Sequence, residues 1–70
     1  MPTIKIGKLP GGKLRELDLK SGSTVGHALQ EAGLDSEGFE VRNNGELVDN
    51  NAQLQNGDTV ILAKKIRGNE

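Results

Sequence analysis

The sequence predicts a small α+β domain with the element order ββαβββ, and three observations carry that prediction. Apolar residues alternate with polar ones on either side of a Pro-Gly-Gly break near the start. They switch to helical spacing in the middle. They then return to alternation around an Asn-Gly pair before a last apolar run. Seventy residues leave room for one core and no second domain.

Thr3-Ile4-Lys5-Ile6 alternates polar and β-branched residues, Pro10-Gly11-Gly12 breaks the chain, and Leu17 and Leu19 resume on one face of a second run from Leu14 to Leu19. This is an N-terminal hairpin. Leu14 is one residue out of phase, which predicts a bulge or a flexible hairpin tip. Val25, Ala28, Leu29 and Ala32 then fall at i, i+3, i+4 and i+7, so a helix over residues 24–32 is expected. Ser23 or Thr24 is placed to cap it and Gly33 to supply the left-handed stop. So short a helix must lean on a sheet.

Phe39 and Val41 alternate with Glu40 and Arg42, Asn44-Gly45 is a strong two-residue turn signal, and Leu47-Val48 begins the return strand. Leu54 reads as an isolated plug, Asn56-Gly57-Asp58 as a turn, and Thr59-Val60-Ile61-Leu62-Ala63 as a strand suited to the sheet centre. The in-phase positions Ile4, Ile6, Leu17, Leu19, Val25, Leu29, Phe39, Val41, Leu54, Val60 and Leu62 are the expected core. Apolar character fades after Lys64, so residues 1–65 are expected to form the domain and residues 66–70 a flexible tail.

Composition excludes several functions. With no cysteine there is no disulfide, thiolate metal site or cysteine nucleophile. Nine Lys plus Arg against ten Asp plus Glu leave a charge of −1, and Phe39 is the sole aromatic, so a nucleic-acid role is disfavoured. No run reaches the ~20 apolar residues of a membrane span, and Met1-Pro2-Thr3 lacks a signal-peptide core, so a cytoplasmic protein is expected. His27, the only histidine, lies off the apolar helical face and reads as a solvent-facing structural residue. Gly22-Ser23-Thr24-Val25-Gly26 lacks the lysine of a phosphate loop, and Gly11-Gly12-Lys13 is not followed by Ser or Thr, so both are turns. The helix start near Thr24 offers only a generic place for an anion. No pattern brings two carboxylates together for acid/base work, and no enzyme activity, metal or cofactor is expected.

This layout, with Leu54-x-x-Gly57-Asp58 ahead of the closing strand, resembles the β-grasp superfamily of ubiquitin, the sulfur carriers of thiamine and molybdopterin synthesis, and TGS domains. The most specific part is Thr59 to Asn69, where Lys65-Ile66-Arg67 precedes Gly68 as in the closing strand and tail of ubiquitin. The resemblance implies a mixed sheet of four to five strands with one helix packed across it. It also implies a modifier or carrier whose terminal carboxylate an E1-like activating enzyme adenylates. Ubiquitin and the sulfur carriers end in Gly-Gly, whereas this sequence has Asn69 at the second position followed by Glu70. Side chains there obstruct a narrow channel, so a processing protease would first remove Glu70, or Asn69 and Glu70.

Gly68, Asn69 and Glu70 are thus the expected conjugation end, with Lys64, Lys65, Ile66 and Arg67 as partner-binding residues. The basic stretch there reads equally as edge protection or as steering of an acidic partner. Protein partners and a monomeric free form are expected. The alternatives are a stand-alone interaction module that binds through its sheet or an edge strand, and, more weakly, a TGS-like nucleotide or nucleic-acid module.

Overall fold

In a computed structural model that describes residues 2–9 and 11–65, the chain forms the expected ββαβββ order. The strands are β1 (Thr3–Leu9), β2 (Arg15–Asp18), β3 (Phe39–Asn43), β4 (Glu46–Val48) and β5 (Thr59–Lys64), with α1 (Val25–Ala32) between β2 and β3. They make one five-stranded sheet in the order β2-β1-β5-β3-β4. β5 lies at its centre, parallel to β1 and antiparallel to β3, and both outer pairs are antiparallel hairpins.

A central position explains the composition of β5. Val60 and Leu62 are fully buried under the helix, while Ile61 and Ala63 on the opposite face are half-buried. The core comprises Ile4, Ile6, Leu19, Val25, Ala28, Leu29, Val41, Leu54, Val60 and Leu62. Leu17 and Phe39, expected inside, are only partly buried against it. Ala28, which lies on the expected helical face, is fully buried, because a methyl side chain lets the helix approach the sheet closely.

The irregularity expected near Leu14 falls beyond the paired ladder. The β1–β2 ladder runs one to one from Thr3↔Asp18 to Ile6↔Arg15 with no bulge. Leu14 lies beyond the last ladder pair and over Gly7, where an added Cβ would stand 2.9 Å from Leu14 Cδ2 and 3.3 Å from its Cα. Leu14 is therefore out of phase because it belongs to the face of the sheet away from the helix. The β3–β4 turn is as expected, with positive φ at both Asn44 (55°) and Gly45 (87°).

Helix α1 is closed at both ends. Thr24 is the N-cap, and Gly33 (φ 71°) is the left-handed C-cap, its N–H directed at the Gln30 and Leu29 carbonyls. Arg15 adds a hydrogen bond from its guanidinium to the Ala32 carbonyl at 2.8 Å, which ties β2 to the last turn of the helix.

Candidate functional site

The expected site lies where β5 ends. Lys64 pairs with Phe39, and the Lys65 N–H donates to the Gly38 carbonyl at 3.2 Å, so the sheet holds the backbone as far as residue 65. Both lysines are exposed. Ile66, Arg67, Gly68, Asn69 and Glu70 lie outside the described residues, as does the expectation that they form a tail.

The fold adds a residue to this end that sequence order does not place there. Parallel pairing sets Lys8 beside Leu62, and the Lys8 ammonium stands 4.6 Å from the centre of the Phe39 ring. Since β1 and β3 flank β5, that contact crosses the last part of the central strand. The separation of Lys8 from Phe39 and Lys64 along the chain hides this from periodicity alone, and the β1–β5 pairing is the feature that reveals it.

The sheet face away from the helix is the second candidate surface. By register and alternation Gly7, Leu9, Ile61, Ala63, Leu14 and Leu47 lie on it. Leu9, Leu14 and Leu47 are 47%, 52% and 64% exposed, high values for leucine in a domain with so few apolar residues. Beside them Arg42 Nε donates to Glu40 Oε2 at 2.9 Å, a half-exposed ion pair whose contribution to stability is reduced by solvent screening.

The helix N-terminus is not an anion site. The Val25 N–H donates to the Ala52 carbonyl (2.9 Å), Gly26 to Asn50 (3.0 Å), His27 to Thr24 Oγ1 (3.3 Å) and Ala28 to the Thr24 carbonyl (3.1 Å). All four leading amides are thus used. His27 is exposed, as expected, yet its ring closes the helix start, since Nδ1 accepts from the Thr24 N–H at 3.2 Å and completes a reciprocal capping box.

A polar knot fixes the entry to β5. Asp58 accepts hydrogen bonds from the Asn43 and Asn44 side chains, each at 3.0 Å, and from the Gln55 N–H at 2.9 Å. Partial burial raises the Asp58 pKa, but the donors from Asn43, Gln55 and Asn44 together outweigh it, and the carboxyl titrates below its ordinary range. Asn44 also joins the strands directly, its Oδ1 accepting from the Thr59 N–H at 3.0 Å. Every donor around Asp58 belongs to a turn or strand end, so the knot is structural. Among the described residues no three His, Asp or Glu side chains gather to hold a metal.

The sequence model of the ThiS family matches residues 8–63, from late in β1 to Ala63 in β5. The chain belongs to the ThiS family. Solved structures agree in fold. Small archaeal modifier protein 1 of H. volcanii is similar at a TM-score of 0.78 and 17% identity, with 94% of this chain and 100% of that one covered. A putative molybdopterin converting factor subunit 1 from Pyrococcus furiosus reaches 0.80 at 17% identity over the same shares. Caldiarchaeum subterraneum ubiquitin reaches 0.65 at 20% identity, covering 97% of this chain and 98% of that one. None of the curated proteins compared with it matches. This ThiS-family chain is a small ubiquitin-like protein with a β-grasp fold, and no helix among its described residues is long and apolar enough to cross a membrane.

Proposed function

We propose that this protein is the precursor of a ubiquitin-like modifier or carrier, acting in the cytoplasm as a substrate of other proteins rather than as a catalyst. A processing protease removes Glu70, or Asn69 and Glu70. An E1-like enzyme then adenylates the exposed carboxylate for transfer to a nucleophile. The observation that carries this reading is the placement of β5. The strand that leads to residues 66–70 is the central one of the sheet, paired on both sides, and the family match extends along it to Ala63.

Division of labour follows from that placement. The domain offers a rigid docking body, and Gly68 has no Cβ to obstruct a tight channel. Lys64, Lys65 and Arg67 meet acidic groups of the partner while Ile66 supplies an apolar anchor. The exposed leucines on the open sheet face also favour a second reading, a module that docks through its sheet and never uses the tail.

Mass spectrometry separates the two. On incubation with a candidate protease, activating enzyme and ATP, the precursor loses one or two terminal residues and then forms an adduct through the new end. Gly68→Trp blocks the adduct without disturbing the fold. An intact Glu70 in every complex that forms would leave the docking module.

A further inference from the structure

Lys8, set beside Leu62 on β5, and Lys64 and Lys65, where β5 leaves the sheet, surround one strand end, although 56 positions separate Lys8 from Lys64. Lys8 and Phe39 come from the strands on either side of β5, so the 4.6 Å cation–π contact lays the lysine across that strand. Among the described residues none of these ammonium groups has a carboxylate within salt-bridge distance. Glu40, which pairs with Ala63 near this end, is already held by Arg42. A chain of net charge −1 therefore concentrates unneutralised positive charge around one strand end. Surface lysines repel one another, and gathering them at one place is useful when something negative docks there.

We infer that Lys8, Lys64 and Lys65 form a cationic collar that docks on an acidic protein surface around the entrance of the activating enzyme's channel, with Lys8 as a recognition residue held in place by Phe39. This rests on the precursor reading. The partner's carboxylates approach the collar first, orient the domain, and bring the chain beyond Lys65 to the channel. The cation–π contact limits the freedom of the Lys8 side chain, so less entropy is lost when it pairs. Much of the effect should appear in the association rate and should weaken with salt, because steering by partly exposed charges is screened within about 10 Å at 0.1 M ionic strength.

The test uses the full chain and an adenylating enzyme of the same organism, with association measured without ATP and adenylation measured separately on chains ending at Asn69 and at Gly68. Lys8→Glu should slow association about tenfold at low salt, Lys8→Met less, and Lys8→Arg hardly at all, with the dissociation rate nearly unchanged. At about 1 M salt the variants should converge with the parent. A merely structural Lys8 would lower the unfolding midpoint and leave the salt slope unchanged. Equal association of Lys8→Glu and parent at low salt overturns the collar, even if the shortened chains are adenylated normally. Parent association with this salt and Lys8 dependence, with neither shortened chain adenylated, keeps the collar and removes the precursor reading. No association at all overturns both. Binding of a single-stranded oligonucleotide as tightly as the enzyme, with the same Lys8 dependence, would make the collar a general polyanion site and overturn the inference.

Discussion

Asp58 shows how one side chain decides the order of a region. Its carboxylate gathers two asparagine amides and a backbone N–H, and so locks the β3–β4 turn to the start of the central strand. The folded pKa lies below the ordinary aspartate value, so the folded state favours the charged form. The stabilisation is therefore present above the unfolded-state pKa of about 4 and is lost as pH falls through the folded value. Asp58→Ala should cost about 1 kcal/mol at pH 7, a modest figure because the site is solvent-screened, and the gap between variant and parent should narrow below about pH 4. Urea titrations of both proteins at neutral and acid pH check this. His27 and Leu14 mark the limits of sequence reading at the same scale. Periodicity placed both off the buried faces. It had no means of showing that one completes a cap and the other faces Gly7 on the open sheet, since both depend on geometry between elements.

Helix α1 illustrates local signals that were legible and a tertiary one that was not. The apolar spacing, the Thr24 cap and the Gly33 stop can all be read from residue types, and each appears in the structure. The use of the first two amides cannot, because their acceptors are carbonyls of residues 50 and 52 on a loop with no apolar pattern. Gly26 fits that arrangement: a Cβ there would lie 3.3 Å from the Asn50 carbonyl oxygen, close enough to press the loop away. Thr24→Ala should lose about 1 kcal/mol, while His27→Gln should be nearly neutral, because glutamine at the third helical position can restore the capping box. Thermal unfolding of the two variants followed by circular dichroism makes the comparison, and an unchanged midpoint for Thr24→Ala would count against the cap.

For the whole molecule, the sequence showed the element order and most of the core because a thin aliphatic chain leaves few ways to bury its apolar residues. Strand order was not readable from pattern alone, since alternation describes each strand separately. The parallel β1–β5 pairing sets Lys8 beside Leu62, two residues before Lys64, and puts the central strand immediately ahead of residues 66–70. Val60, fully buried on β5, should cost about 2 kcal/mol on truncation to Ala, and Leu29 about 3 kcal/mol, each a large share of a small domain's stability. Chemical denaturation reads both losses, and two unchanged midpoints would show the core to lie elsewhere.

In the proposed precursor, the working group is a trimmed carboxylate on the segment that follows this strand. ATP–pyrophosphate exchange by an E1-like enzyme tests it most directly, comparing the chain as it stands with chains ending at Asn69 and at Gly68. Exchange is expected with at least one shortened chain, strongest where Gly68 is terminal, and little or none while Glu70 is in place. Equal exchange by all three would contradict the need for trimming. Exchange by none, with an enzyme that adenylates its own carrier and binds this chain intact, would contradict the claim itself.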